Sequence, residues 1–246
     1  MQFMESAPEE NYLLGSLSSA QLNLLRSHLH NVTFGRGTVL FQTGDEVDYI
    51  YFPHSGMVSL LLTTPNGEAI ETATVGREGV VGAMAGLGLY KSSVRVVVQL
   101  PIRASRVSAS MFRRAVASSN EIRDLCIRYN EILLIQARIN AACNALHQIE
   151  ARFCRWLLQS VDRAESDSVS LTQELISEML GVRRTSVTVA AGNLQKRGVI
   201  SFSRGTVRIL NRSALEQASC ECYHSLIEQS VTLVPKPIAS FDDDGK

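Results

Sequence analysis

Within residues 171–210, two apolar seams of helical period stand on either side of a single glycine, and an alternating pattern follows at once. Leu175, Ile176, Met179 and Leu180 form the first seam. Val187, Ala190, Ala191 and Leu194, at i, i+3, i+4 and i+7, form the second. Thr172 is placed to cap the first helix, and Glu174 lies in its first turn, where a carboxylate complements the helix dipole. Gly181 supplies the left-handed residue that ends this helix after about two turns. Gly198 ends the second helix, and Val199–Phe202 and Thr206–Leu210 then read as two strands joined through Ser203, Arg204 and Gly205. Two short helices, a tight turn and a hairpin make a winged helix-turn-helix, and the rest of the chain has to hold and position it.

The polar face of the second helix carries the chemistry. Arg183, Arg184, Thr185, Ser186 and Thr188 crowd its first turn and a half, and the apolar seam needs none of them. A helix-turn-helix puts this end of its second helix into the major groove, where Arg bonds guanine edges and Thr or Ser reaches bases or phosphates. Charge agrees. Lys plus Arg and Asp plus Glu balance at 24 each over the chain. Between 171 and 212, however, Arg183, Arg184, Lys196, Arg197, Arg204, Arg208 and Arg212 face only Glu174 and Glu178. A basic patch on a neutral protein is the electrostatic footprint of a nucleic-acid-binding module, with Arg204 at the wing tip where a phosphate would lie.

A length of 246 residues with 45% hydrophobic content allows more than one core. No apolar run of about 18 residues is present, so no membrane partner is expected. The first residues lack the regions of a signal peptide, and five cysteines in no disulfide-like framework fit a reducing cytoplasm. Residues 1–15 read as loosely ordered. Ser18 or Ser19 caps a short helix bearing Leu22, Leu25 and Leu29. From Val32 to about Arg106 the period becomes that of short strands, at 39–41, 49–52, 57–62, 69–75 and 94–98. Glycines and turn pairs separate them, notably Ser55-Gly56 and Asn66-Gly67, which predicts an antiparallel β-barrel or roll. The helical period returns near Ser110. A long helix follows with apolar residues on more than one side, so it needs burial on two fronts: the roll and a twin in a second subunit. Ile122, Leu125, Tyr129, Ile132, Leu133 and Gln136 are its candidate dimer residues. The fold class is therefore α+β, with a roll at 18–110, a dimerisation helix at 111–140, a winged helix-turn-helix at 141–222 and an unstructured tail at 223–246.

This order of elements, with Thr172, Gly181, Arg184 and Val187 in a Thr…Gly-x-x-Arg-x-x-Val pattern, resembles the CRP/FNR superfamily of bacterial transcription regulators. The resemblance covers residues 18–212. It implies a jelly roll like that of cyclic-nucleotide-binding domains, a homodimer, and a second helix that reads a palindromic promoter site, with RNA polymerase as a further partner and no enzymatic activity. Its implied DNA-contacting residues are Thr172, Gln173, Arg183, Arg184, Thr185, Ser186, Thr188, Val189, Lys196 and Arg204. Thr185 stands where the family often has Glu, and Val189 where a second Arg is common, so the base preferences should differ.

The effector pocket departs further from the family. Gly82, Ala83, Met84, Ser92, Ser93 and Arg95 occupy it, but Ala83 replaces the ribose-binding carboxylate and Ser92-Ser93 the phosphate-binding Arg-Ser step. No cyclic nucleotide is therefore expected. No iron–sulfur cluster is expected either, because the first cysteine is Cys126 and the oxygen-sensing branch carries its cysteines near the N-terminus. The reading assigns no cofactor and no metal. Cys126, Cys143 and Cys154 read as small buried hydrophobes. Cys220-Glu221-Cys222, followed by Tyr223 and His224, is open to metal binding or to redox pairing, while His28, His30, His54 and His147 read as scattered. Two other readings stand beside the regulator. One is a roll that binds no ligand and only supports the dimer or contacts RNA polymerase. The other is an enzyme on a cupin-like roll, which lacks the histidines it would need because only His54 lies in the strand-rich region.

Overall fold

The computed structural model describes residues 10–233. Two short helices, α1 (Tyr12–Gly15) and α2 (Ser19–Arg26), precede an antiparallel roll of β1 (His30–Phe34), β2 (Val39–Phe41), β3 (Tyr49–Thr63), β4 (Ala69–Val75) and β5 (Arg95–Ser108). Helices α3 (Ala109–Ser118), α4 (Asn120–Leu146) and α5 (Ile149–Ala164) follow. Then come β6 (Ser168–Ser170), α6 (Gln173–Leu180), α7 (Arg184–Lys196), β7 (Ile200–Ser203), β8 (Thr206–Ile209), α8 (Arg212–Ala218) and α9 (Cys222–Leu233). The roll has strand order β1-β5-β3-β4, with β2 also paired to β5.

Several elements differ from the sequence expectation. The stretch before Ser16 is not loose where it is described. Asn11 is fully buried; its Oδ1 accepts from the Leu13 and Leu14 amides and its Nδ2 donates to the Pro53 and Gly79 carbonyls. Ser55-Gly56 is not a turn between two strands. β3 runs through it, bent by register shifts between Pro53 and Val58, and Gly56 takes φ +77° there. A side chain at Gly56 would meet the backbone of Pro101, so this is a bulge that only glycine fits. β5 likewise continues past residue 98 to Ser108, carrying Pro101 at the same irregularity. The Asn66-Gly67 hairpin joins β3 to β4, with Gly67 at φ +85°.

The long helix is not one element over 111–140. Ser119 breaks it in extended conformation and caps α4 by accepting from the Ile122 amide, and α4 then reaches Leu146. Residues 162–170 are not only a connector, because β6 pairs with β8 and widens the wing sheet to β6-β8-β7. The tail is helical as far as Leu233, and Tyr223 and Leu226 are buried. Residues 1–9 and 234–246 lie outside the described part.

Two main cores result. One fills the roll and takes in α1–α4, and the other gathers Met57, Leu61, Val97 and Leu100 of the roll with α5–α7, Trp156 among them, the wing sheet, Leu215 and Tyr223. β4 is the edge of the roll, and α4 satisfies that edge with side chains: Thr74 N donates to Gln136 Oε1, and Asn140 Nδ2 donates to Thr72 O. Between the cores, Glu71 of β4 is buried and accepts from Ser59 Oγ at 2.6 Å and from Trp156 Nε1 at 2.8 Å. Arg163 of α5 pairs with Glu78 at 2.7 Å, and Arg36 Nη1 donates to Ser170 O.

Burial raises the Glu71 carboxyl above its ordinary value, against the opposing pull of the hydrogen bonds from Ser59 and Trp156. A carboxyl raised on folding stabilises the protein below its unfolded pKa, and that contribution is lost as pH climbs through the folded value. Stability should therefore decline with rising pH in this window, by at most about 1.4 kcal/mol per unit from this group. Urea titrations of Glu71→Gln, which has no proton to lose, should show that decline flattened; an unchanged slope would acquit Glu71.

Candidate nucleic-acid interface and sensor cavity

The helix-turn-helix forms as its local signals dictate. Thr172 caps α6 by accepting from the Leu175 amide, and Gly181 closes it at φ +62°. Val187, Ala190, Ala191 and Leu194 of α7 are all buried. On the outer side of the first turns of α7, Arg183 at the cap, Arg184, Thr185, Thr188 and Val189 are exposed. The Arg184 guanidinium stands 3.8 Å from Glu174, with 66% of its side chain accessible. Thr188 donates to Gln173 Oε1 at 2.7 Å, which ties α7 to the start of α6. Ser186 is half-buried, and with Arg183 it lines a groove of about 870 Å³ shared with the β3–β4 turn of the roll. Lys196 does not join this group: it ends α7, about 18 Å along the axis from Arg184. The wing turn is a two-residue hairpin. Ser203 pairs with Thr206, and Arg204 and Gly205 both take positive φ, 50° and 75°, which leaves the Arg204 side chain exposed at the tip.

A cavity of about 340 Å³ opens between the roll and α4. Gly82, Ala83, Met84, Ser92 and Ser93 line it as expected, whereas Arg95 does not reach it. Gly82 sits at φ +83° and starts a 3₁₀ turn over Ala83–Leu87. Ser92 Oγ is engaged with the Val94 carbonyl. Among the described residues lining the cavity, Lys91 is the one cation, and no carboxylate is present. The remaining wall is largely aliphatic and includes Tyr129 and Leu133 of α4. His54 lies outside this cavity; it is buried against Ser105 Oγ, and burial lowers its pKa.

The two sides of α4 separate in a way that corrects the sequence reading. Ile122, Leu125, Tyr129, Ile132 and Gln136 are buried within their own chain against the roll, and Leu133 is half-buried at the cavity. None of these six is exposed. The large apolar residues that α4 leaves in solvent are Ile127 and Leu134, seven residues apart, and Leu146 at the end; Ala141, a further seven along from Leu134, is exposed, as are Ala142 and Ala145. A strip of spacing seven was present in the sequence, but the denser apolar face concealed it.

The cysteines also divide. Cys126 and Cys154 are packed in the two cores, and burial pushes each thiol up to about 12, as befits inert small hydrophobes. Cys143 does not belong with them. Its Sγ lies 3.5 Å from Cys220 Sγ, and Cys222 Sγ lies 3.7 Å from Nδ1 of His147. His147, read as scattered, thus joins the cysteine group; His224, read as part of it, is exposed with its ring on Tyr223. The long separation in sequence, with Cys143 and Cys220 77 residues apart, hid this grouping.

Comparison with known proteins agrees with this architecture. Residues 31–119 match the cyclic nucleotide-binding domain family, and residues 151–218 match the Crp-like helix-turn-helix domain family. The chain is 25% identical over 200 residues to a CRP-like cAMP-activated global transcriptional regulator of Mycobacterium tuberculosis, covering 78% of this chain and 88% of that one. It is 23% identical over 194 residues to the global nitrogen regulator of Synechococcus elongatus, covering 75% and 87%. Among solved structures it resembles FixK2 from Bradyrhizobium japonicum, with a TM-score of 0.65 at 16% identity over 78% of this chain and 98% of that one. It also resembles the c-di-GMP responsive global regulator CLP of Xanthomonas campestris, with a TM-score of 0.64 at 16% identity over 78% and 99%. No helix among the described residues is long and apolar enough to cross a membrane.

Proposed function

The chain belongs to the CRP/FNR superfamily of transcription regulators, and from that premise we propose that two copies together read a palindromic promoter duplex under the control of a signal received in the cavity of the roll. The observation that carries this reading is the start of α7, where Arg184, Thr185, Thr188 and Val189 are exposed within two turns while the opposite face is sealed in the core. Those groups suit a major groove: a guanidinium for guanine, hydroxyls for bases or phosphates, and an aliphatic group for a thymine methyl. The strip of Ile127, Leu134 and Ala141 supports dimer formation through α4, since its spacing is that of a helix-pairing seam. The cavity wall touches α4 through Tyr129 and Leu133, so a ligand there would bear on the helix that pairs the subunits. Its aliphatic lining, with a single lysine, suits a small apolar effector better than a ribose phosphate. RNA polymerase is the further partner in this scheme.

Selection of binding sites from random DNA, with and without cell extract, tests the proposal. It should enrich an inverted repeat whose half-sites lie about one helical turn, 10–10.5 bp, apart. Recovery of no sequence above a scrambled competitor would sink it. Sedimentation should give a dimer mass that Ile127→Glu with Leu134→Glu reduces to a monomer. At the wing, Arg204→Ala should weaken binding to every sequence alike and flatten the dependence of log K on log salt by about one unit, the mark of a lost phosphate contact. An unaltered salt slope would remove Arg204 from the interface.

A second reading, a roll that binds nothing, draws support from the absence of an arginine and a carboxylate among the described lining residues of the cavity. A thermal-shift screen of cyclic nucleotides, haem and small apolar compounds separates the two, because only a liganded cavity raises the melting temperature.

A further inference from the structure

The last turn of α4 and the segment that opens α9 bring four soft donors to one point. Cys143 and His147 stand at i and i+4 at the end of α4, and Cys220 and Cys222 flank Glu221 at the start of α9. One donor atom from each lies within 4.8 Å of every other. We propose that Cys143, His147, Cys220 and Cys222 bind one tetrahedral, thiophilic divalent cation, zinc by preference, which fastens the end of α4 to α9.

The geometry is close to what such an ion imposes. Zn–S bonds of about 2.3 Å and Zn–N bonds of about 2.0–2.1 Å put tetrahedral ligand atoms about 3.5–3.8 Å apart. The Cys143–Cys220 separation is 3.5 Å and the Cys222–His147 separation is 3.7 Å. The widest pair has to close by about 1 Å to complete the tetrahedron. The three thiols are buried, which suits a closed structural site rather than an open catalytic one.

Two independent features surround the donors in the way a metal centre requires. His147 turns Nδ1 to Cys222, and its Nε2 meets Glu221 Oε1 at 3.0 Å. A carboxylate on the second ring nitrogen fixes the tautomer and orientation of a ligating histidine. Charge is the other feature. Arg152 and Arg155 are both buried, their Nε atoms have no hydrogen-bond partner, and among the described residues neither forms an ion pair with a carboxylate. Arg152 bonds instead to Asn144 and the Leu180 carbonyl, and Arg155 bonds to Gln159. Arg152 thereby reaches the end of α4 at the residue next to Cys143. Three thiolates and one neutral imidazole around a divalent cation carry one net negative charge, a counterion for two guanidinium groups that form no ion pair of their own, Arg155 having otherwise only the longer-range charge of Glu71.

Position gives the site its consequence. α9 is held to α5 and α8 by Tyr223, whose hydroxyl donates to Asp162 and accepts from Arg212. A metal on Cys220 and Cys222 would therefore join the end of α4 to the helix-turn-helix half of the chain, across the break at His147 and Gln148 where α4 gives way to α5.

Cobalt(II) is the probe. The reduced full-length chain should take up one equivalent, with thiolate-to-cobalt charge-transfer absorption and the intense visible bands of a tetrahedral site, and zinc should displace it. His147→Ala, at a partly exposed position, should keep the fold and lose or shift those bands. Glu221→Gln should keep the spectrum and weaken cobalt binding about 10–100-fold. Zinc should raise the melting temperature of the wild-type chain but not that of His147→Ala. Weak, pale octahedral binding that is unaltered in His147→Ala would overturn the proposal. So would a reduced chain that takes up no metal while Cys143 and Cys220 form a disulfide on oxidation.

Discussion

Replacing Trp156 with alanine should lower the stability of the protein by about 3–5 kcal/mol, the usual cost of emptying a large aromatic site in a packed core. Trp156 is 1% exposed and is packed in the core that joins α5–α7 and the wing sheet. Its loss acts twice. The indole leaves a cavity in that core, and Glu71 loses the Nε1 donor 2.8 Å away. Trp156→Phe separates the two effects. It restores most of the volume but leaves Glu71 Oε1 without a partner in a buried site, so about 1–3 kcal/mol should remain lost. Urea denaturation followed by far-ultraviolet circular dichroism measures both, since the chain has one tryptophan and its fluorescence disappears with either change. If Trp156→Phe matched the wild type, the Trp156–Glu71 bond would contribute nothing, and the link between roll and helix-turn-helix would rest on packing and on polar contacts such as Arg163 with Glu78, Arg77 with Glu165 and Arg36 with Ser170.

That bond also marks where the sequence stops being legible. Thr172, Gly181 and the two apolar seams act within one or two turns of themselves, so their pattern reveals the helix-turn-helix directly. The wing is equally local, because Arg204-Gly205 must adopt a hairpin turn wherever the hairpin sits. Glu71 and Trp156 are 85 residues apart, and nothing near either one signals the other. Gly56 shows a different failure. A glycine after serine between two apolar runs is the mark of a turn, yet tertiary pairing with β5 carries β3 straight through it and uses the positive φ for a bulge. In α4 the trouble is surplus: apolar residues lie on both sides, and periodicity cannot say which side meets the roll. The cysteine–histidine cluster was hidden for both reasons. Its local traces are the Cys220-x-Cys222 pair and Cys143 with His147 at i, i+4, and nothing in the sequence joins the second to the first, because a buried cysteine beside a surface-type histidine reads as two unrelated residues.

Arg184→Ala should weaken specific DNA binding by about 1–3 kcal/mol, or roughly 5–150-fold, and relax the preference at one base pair of each half-site. Arg184 is the first residue of α7, and its contact with Glu174 is long, at 3.8 Å between side chains that are 66% and 77% exposed. An exposed pair of that kind contributes little to stability, so releasing the guanidinium to a base edge costs the protein almost nothing. By the same reasoning the substitution should leave the unfolding midpoint nearly unmoved, which separates loss of recognition from loss of fold. Arg184→Lys sharpens the test. It keeps the positive charge but not the planar fork, so it should retain non-specific affinity and its salt dependence while losing most of the preference for guanine. Selection from random duplexes distinguishes the roles: a base-reading Arg184 changes which sequence is recovered, whereas a phosphate-binding one lowers all affinities together and leaves the recovered sequence as it was. Thr185 and Val189, exposed on the same side of α7, would then be the groups left to set the neighbouring bases. Because Val189 offers only a methyl surface to a thymine, the half-site should differ most from those read by relatives with an arginine one turn along.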